Sequence, residues 1–208
     1  MTLGLLGNKI GMTQIFDKKG NIIPVTIIKG GPCFVTQIKS EENCGYNAIQ
    51  IGYLEVSARL KTLTKPELGH FNKVNLPPFR YLKEYKTSEK IYEIGQKFTV
   101  EMFKIGQEVN VSGLTTGKGN TGNVKEHNFS RGPMAHGSKH HRLQGSLGAG
   151  TTPGRVFPGK RMPGRVGNEK RTILGLEIID IDSKENLLVV KGSIPGKAGN
   201  LVSVNMCS

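Results

Sequence analysis

One stretch of the chain, Gly113–Arg171, most limits what the protein can fold into. It has 59 residues, of which 11 are Lys or Arg, four are His, two are Glu, 13 are Gly and four are Pro. This basic segment carries +9 of the chain's formal charge of +13. Its apolar residues are sparse and follow no helical or strand period, so it cannot supply a core. A stretch this long without predicted elements inside a compact domain is expected to be functional or disordered.

The chemistry of the basic segment favours ordered contact with a polyanion. Disordered segments are commonly rich in Glu, Ser and Gln, whereas this one is rich in Gly and Arg. Surfaces that are merely soluble mix both signs of charge, and here only Glu126 and Glu169 oppose the cations. Gly allows close backbone approach, and Arg can bind phosphate through two parallel hydrogen bonds. Because aromatic residues are few, we expect shape recognition of structured RNA rather than single-strand stacking.

The rest of the chain predicts a mainly β body long enough to bury a core. Short β-branched runs are separated by turn residues at roughly 8–12-residue spacing, which is typical of a sandwich or barrel. Because strands flank both ends of the basic segment, we expect it to be a long loop leaving one closed β-barrel body. The predicted strands are Met12–Phe16, Ile22–Lys29, Cys33–Ser40, Ala48–Tyr53, Lys97–Phe103, Glu108–Thr116, Thr172–Ile181, Leu187–Ile194 and Leu201–Val204.

Residues 56–95 interrupt the strand spacing and predict a small, partly helical insertion. Thr64, Pro66 and Glu67 form a capping-box pattern with Pro in the first turn, which indicates the start of a helix. Phe79–Lys86 is rich in aromatic and basic residues. We expect its tyrosines to pack against a small core of the insertion, with stacking on bases as the alternative.

Neither a membrane nor an oxidising compartment is indicated. No apolar run approaches the roughly 18 residues that a spanning helix needs. The basic segment also lacks an apolar helical face that could lie on a bilayer. The three cysteines, Cys33, Cys44 and Cys207, lack metal-ligand spacing, so we expect reduced thiols. The N-terminal sequence is typical of neither a secretory signal nor a transit peptide, so we expect synthesis in the working compartment or a removed import signal.

Gly117–Gly122 matches the G-x-G-x-x-G pattern of dinucleotide sites. Such a site also needs an apolar helix directly after the glycines and an acidic residue about 20 positions on. Here a Gly-Pro pair interrupts the sequence at 132–133, and no acid lies between Glu126 and Glu169. A nucleotide-binding β-barrel enzyme therefore remains only as the alternative function. Close backbone approach to phosphate, with Lys118 as a point charge, explains the glycines better.

No metal, cofactor or catalytic site is predicted. His136 and His140 have i, i+4 spacing but lack the Glu of H-E-x-x-H, and the neighbouring Lys139 and Arg142 would repel a cation. Carboxylates are scarce where polar groups cluster, so a pair for acid–base catalysis is hard to place. The imidazoles, including that of His141, are better suited to hydrogen-bonding phosphate or stacking on bases.

Several stretches together resemble one protein family. They are MTLGLLGNKIGMTQIF, GPCFVTQIK, SGLTTGKGNTGNVK, RGPMAHGSKHHR, GSLGAGTTPGRVFPGKRMPGRVGNEKRT and NLLVVKGSIPG. In combination they are similar to the bacterial-type third protein of the large ribosomal subunit, and the resemblance covers nearly the whole chain. GAGTTPGRVFPGKRM and RGPMAHGSK most resemble its cyanobacterial and chloroplast branch.

The resemblance implies a structural ribosomal protein and not an enzyme. The family has a β-barrel body on the subunit surface and a long extension that runs through ribosomal RNA toward the peptidyl-transferase centre. It binds 23S-type rRNA near its 3′ end, acts early in assembly, and neighbours the fourteenth and nineteenth large-subunit proteins. Location in chloroplast ribosomes is implied, with the cyanobacterial cytoplasm as the alternative. The body would comprise residues 1–112 and 172–208, with the insertion at 56–95, and the extension residues 113–171.

The predicted rRNA-binding residues are cations and histidines of the basic segment. The resemblance places Lys118 and Lys125 in the family signature. It places residues 131–165 in the extension, with Leu143–Pro153 nearest its tip. The full set is Lys118, Lys125, Arg131, His136, Lys139, His140, His141, Arg142, Arg155, Lys160, Arg161, Arg165, Lys170 and Arg171.

The chain departs from the family pattern at two places. Glu126 and His127 stand where the family usually has a basic residue followed by an aromatic residue or Asn, so no phosphate contact is expected at 126. Some bacterial members carry a methylated Gln in the stretch that corresponds to residues 148–154. Here that stretch reads GAGTTPG, so the modification cannot occur there.

Overall fold

The structure, a computed structural model, describes residues 3–56, 63–87 and 92–207 and is mainly β, as the sequence predicts. Its α-helices are Glu41–Cys44 (α1), Lys65–Asn72 (α2) and Asn123–Glu126 (α3), and a 3-10 helix spans Val100–Met102. The strands are Gly4–Phe16 (β1), Ile22–Gly30 (β2), Cys33–Lys39 (β3), Ala48–Glu55 (β4), Phe79–Lys86 (β5), Lys97–Phe98 (β6), Glu108–Leu114 (β7), Gly119–Thr121 (β8), Gly164–Val166 (β9), Lys170–Asp182 (β10), Leu187–Lys191 (β11) and Leu201–Met206 (β12).

Six strands pair in a closed ring in the order β1–β12–β7–β10–β11–β2, and β2 returns to β1. Every pair in the ring is antiparallel. The length of β1 allows this closure, because its first half pairs with β12 while most of its length pairs with β2. Apolar side chains from the strands of the ring form much of the core. Among those at most 1% exposed are Leu5, Leu6, Val25, Ile28, Val109, Val111, Ile178, Leu188, Val190, Val202 and Val204.

A second, four-stranded sheet has the order β5–β4–β3–β6 and carries helix α2. The helix begins as predicted, with the backbone N–H of Thr64 donating to Oε2 of Glu67 at 2.7 Å and a Pro in the first turn. Phe71 of α2 is buried, and its ring meets that of Phe79 on β5 edge-on, with centroids 5.9 Å apart. An aromatic contact therefore packs the short helix against the sheet.

Phe79–Lys86 differs from the prediction of a separate insertion core. It is strand β5, paired antiparallel with β4 along its length. Tyr85 is buried in the main core rather than in an insertion of its own, and its hydroxyl lies 2.7 Å from Oγ of Ser203 on β12. Buried or half-buried residues alternate with exposed ones along this stretch, which is the period of a strand. Residues 57–62 and 88–91 of the predicted insertion lie outside the described residues.

The predicted strands are present, with different ends. Met12–Phe16 is only the second part of β1, which begins at Gly4. Lys97–Phe103 is paired only at its first two residues, which lie opposite β3. The chain then turns into the 3-10 helix, which buries Val100 completely. The second half of the predicted strand is therefore a 3-10 turn with one buried valine.

All three cysteines are free thiols. Cys33 is buried, with Sγ 3.5 Å from the carbonyl oxygen of Leu6. Burial raises the pKa of this thiol to about 12, so it is protonated and unreactive near neutral pH. Cys44 and Cys207 are exposed. Within the described ranges, no helix is both long and apolar enough to cross a membrane.

Residue contacts divide the chain into two compact units. The body unit consists of Met1–Leu114 and Lys170–Ser208, and the segment unit consists of Thr115–Glu169. The main hydrophobic cluster draws all its residues from the body unit. The segment unit is therefore organised by contacts other than those of this core.

Candidate nucleic-acid interface

The two ends of the basic segment leave neighbouring strands of one sheet. Gly113 of β7 lies opposite Arg171 of β10, and Leu114 lies opposite Lys170. The prediction that the flanking strands share a sheet is confirmed. This pairing is part of the ring of the body unit. Both ends of the basic segment are therefore fixed by backbone hydrogen bonds of the body.

A two-stranded ribbon of β8 and β9 pairs a stretch near the beginning of the segment unit with a stretch near its end. The N–H of Lys118 donates to the carbonyl of Val166 at 2.8 Å, and the N–H of Thr115 donates to that of Glu169 at 2.9 Å. Gly167 has a positive φ of 73°, and a Cβ there would overlap the carbonyl oxygen of Thr116. Only Gly permits this approach, so some of the many glycines are required by strand pairing.

Helix α3 follows β8, and hydrogen bonds join it and the residue after it to the stretch just before β9. Asn123 is 2% exposed, and its Nδ2 donates to the carbonyl of Arg161 at 3.5 Å. Nε2 of His127 lies 3.2 Å from the carbonyl of Met162, to which it donates. Oδ1 of Asn123 is buried without a donor among the described residues. These contacts show local order in a segment whose sequence carries no periodic pattern.

A closed loop runs from Gly132 to His141. The N–H of Gly132 donates to the carbonyl of His141 at 3.0 Å, and Nδ1 of His141 donates to the carbonyl of Pro133 at 3.0 Å. His136 turns the chain with a positive φ of 59°. One backbone bond and one side-chain bond therefore close this loop. Within the described part of the chain, no group of three or more His, Cys, Asp or Glu is placed to hold a metal ion.

Replacing Gly132 with Ala is expected to disturb this loop without unfolding the body. A Cβ at 132 would overlap the carbonyl oxygen of His140, so that backbone must shift. We expect RNA affinity to fall about tenfold, the value of one lost charge-assisted hydrogen bond. Gly164→Ala is the matched control, because a Cβ there meets nothing within 4 Å and Gly164 does not line the cavity described next. Equal RNA affinity and equal trypsin cleavage after Arg131 in both variants would contradict this role of Gly132.

Three of the predicted cations line one concavity in the segment unit. Lys118, Lys125 and Arg142 surround a cavity of about 270 Å³. No ion pair ties any of the three to a carboxylate within the described residues. Lys118 precedes β8, Lys125 lies on α3, and Arg142 is brought in from a distant part of the sequence. Three cations around one depression concentrate positive charge there, which is the chemistry that attracts a phosphate group.

All fourteen predicted rRNA-binding residues are exposed. Beyond the three at the concavity, the remaining eleven are spread over the surfaces of the two units and do not line it. The guanidinium of Arg155 lies over the ring of Phe157, with its carbon 5.6 Å from the ring centroid, and Phe157 itself is exposed. A cation resting on an exposed ring presents a stacking surface and a charge together.

The G-x-G-x-x-G pattern is part of the ribbon and not of a strand-to-helix nucleotide loop. Gly119–Thr121 is strand β8 itself, and α3, which follows Gly122, has only four residues. A dinucleotide site needs the glycines in the turn and a full helix after it. The geometry therefore removes the one observation that favoured a nucleotide-binding enzyme.

Lys83 is a cation that the sequence analysis missed. It is half-buried on β5, where Phe79, Tyr81 and Tyr85 occupy the same face at alternate positions. Burial first, and then the charge of Lys170, lowers the pKa of Lys83 to about 8. The period-two pattern of the aromatic residues could have identified this inward-facing lysine.

Comparison with known proteins agrees with the motifs. Residues 84–187 match the family model described as Ribosomal protein L3. The chain is 58% identical over 205 residues to "Large ribosomal subunit protein uL3c" of Phaeodactylum tricornutum, with 98% of each chain covered. It is 58% identical to "Large ribosomal subunit protein uL3" of a Synechococcus strain, covering 98% of this chain and 95% of the relative. It is also 58% identical to uL3c of Gracilaria tenuistipitata, covering 98% and 99%.

Proposed function

Because the chain belongs to the ribosomal protein L3 family, we propose that it is a structural constituent of the large ribosomal subunit that binds 23S-type rRNA through its basic segment. The resemblance seen in the motifs is thereby confirmed, and the protein is a structural component rather than an enzyme. The plastid and cyanobacterial relatives support a location of this protein in chloroplast ribosomes, with the cyanobacterial cytoplasm as the alternative.

The observation that carries RNA binding is the unpaired cation cluster of Lys118, Lys125 and Arg142. Cations held together without carboxylates repel one another, and a phosphate placed between them removes that repulsion. Binding also releases counterions condensed on the RNA, which gives affinity without reading sequence. The scarcity of base-stacking aromatics in the segment supports recognition of RNA shape through its backbone.

The body unit serves as the anchor in this proposal. Its closed ring of six strands supports a β-barrel at the subunit surface, corresponding to residues 1–112 and 172–208. Residues 113–171 are the extension that enters rRNA toward the peptidyl-transferase centre. Early action in assembly and contacts with the fourteenth and nineteenth large-subunit proteins complete the proposal, and all of these follow from family membership.

A salt titration of RNA binding tests the proposal. If about eight cations meet phosphates, the affinity for a 23S-domain transcript should fall with salt at a log–log slope on the order of −6 to −7. A nucleotide-affinity resin should not retain the protein. Retention on the resin together with RNA binding that does not depend on salt would reject the ribosomal function in favour of a nucleotide enzyme.

A further inference from the structure

A pocket in the body unit is separate from the concavity described above, although one of its lining residues, Lys170, belongs to the predicted rRNA-binding set. It has a volume of about 420 Å³, within the roughly 300–1,000 Å³ typical of ligand sites. Strands β1, β7 and β12 supply an aliphatic wall, and β5 and β10 each supply one lysine. The residues that matter are Leu6, Lys83, Leu114, Lys170, Leu201 and Val202.

Both lysines of the pocket lack an acidic partner. Within the described ranges, neither Lys83 nor Lys170 forms an ion pair or a hydrogen bond through its ammonium group. Nζ of Lys83 lies 5.0 Å from the centroid of the Tyr85 ring. A half-buried ammonium close to a second cation is unfavourable, and a bound anion would relieve both the desolvation and the repulsion.

The other polar groups around the pocket are already satisfied. Oγ of Ser112 is hydrogen-bonded to Oγ1 of Thr172 at 2.8 Å, and Nδ2 of Asn200 donates to the carbonyl of Leu114 at 3.3 Å. Oγ of Ser203 is bonded to the hydroxyl of Tyr85. Each of these neutral groups already makes a hydrogen bond, so the two ammonium groups are the charged donors left for a ligand. The pocket suits an anion that also carries a group able to lie on an aliphatic wall.

We infer that this pocket binds one unpaired RNA nucleotide, with its phosphate between Lys83 and Lys170 and its base or ribose against the aliphatic wall. The inference rests on the proposed RNA-binding function and adds a contact in the body unit. Apolar side chains commonly receive bases that have left a stack. Leu114 and Lys170 directly adjoin in sequence the segment unit, whose nine Lys and Arg residues against two Glu carry the proposed binding of RNA.

Lysine footprinting on the full chain tests the inference. The protein is acylated with an amine-reactive reagent, free and in complex with a 23S-domain transcript, and each lysine is quantified by mass spectrometry. With RNA at about ten times its Kd, Lys83 should react about tenfold more slowly, because only the unbound fraction reacts. Lys86 is the control, since it lies on the opposite face of β5 and is exposed, and its reactivity should not change.

The outcomes separate this inference from the proposed function. Protection of Lys118 with no protection of Lys83 overturns the nucleotide pocket and leaves the ribosomal function intact. Absence of RNA binding defeats both. Protection of Lys83 that needs an added ribosomal protein, and does not occur with RNA alone, assigns the pocket to a protein partner and overturns the inference.

Two substitutions test the two halves of the pocket. Lys83→Gln removes the cation, and Leu114→Ala removes part of the wall from a side chain that is 46% exposed, so neither should unfold the body. Each should weaken RNA binding about threefold to tenfold, with thermal unfolding unchanged. Lys86→Gln should bind as the unaltered protein does. Unchanged affinity in either test variant overturns the inference.

Discussion

Deleting Gly132–Pro163 is expected to leave a folded body that enters large ribosomal subunits poorly. The main hydrophobic cluster lies entirely outside the segment unit. The pairing of β7 with β10, and of β8 with β9, also lies outside the deleted stretch. The deletion removes five of the eleven Lys and Arg residues of the basic segment, among them Lys139, Arg142 and Arg155, so binding to rRNA loses a large share of its phosphate contacts.

Cooperative thermal unfolding and sedimentation with ribosomes would measure these two effects. We expect the deletion variant, with Arg131 joined to Gly164, to unfold cooperatively and to stay mostly at the top of a sucrose gradient. A matched variant replaces the same 32 residues with Gly and Ser, which keeps the chain length and removes the cations. Normal incorporation of either variant would show that the extension is dispensable for assembly.

The body was predictable where one face of a strand is buried and turn residues mark its ends. Ile22–Lys29 and Leu187–Ile194 show this, since β-branched side chains there form β2 and β11. Helix α2 was predictable because its capping box is local in sequence. The division of the strands between the ring and the four-stranded sheet was not predictable, because pairing partners far apart in sequence leave no local pattern.

The structure of the segment unit was even less predictable from the sequence than the division of the strands between the two sheets. Its charge identifies a polyanion as the partner, but the meeting of Lys118, Lys125 and Arg142 depends on the ribbon and on hydrogen bonds made by Asn123 and His127. Such bonds join polar side chains to backbone groups distant in sequence, and composition does not reveal them. Lys83 is different, since the alternation of aromatic residues in its stretch indicates a strand with this lysine on the inner face.

Removing the charges of the concavity is expected to change how RNA binding depends on salt. In the triple variant Lys118→Gln, Lys125→Gln and Arg142→Gln, the log–log slope should become less steep by about 2 to 3, at about 0.7–0.9 for each lost phosphate contact. Affinity at low salt should fall by about three orders of magnitude or more, because charge-assisted hydrogen bonds contribute roughly 1.5–3 kcal/mol each. Titration of a fluorescent 23S-domain transcript at several salt concentrations measures both quantities.

A control variant with the same loss of charge distinguishes a defined phosphate site from an effect of the net charge alone. Lys18, Lys19 and Lys184 are exposed lysines in turns of the body unit, and their replacement by Gln also lowers the net charge by three. If general attraction dominated, both triple variants would lose the same affinity and the same slope. If the concavity holds phosphate directly, its variant should lose the contacts while the control keeps its slope to within about one contact. Equal slopes in the two variants would therefore reject a defined phosphate site and leave only long-range attraction between the chain and RNA.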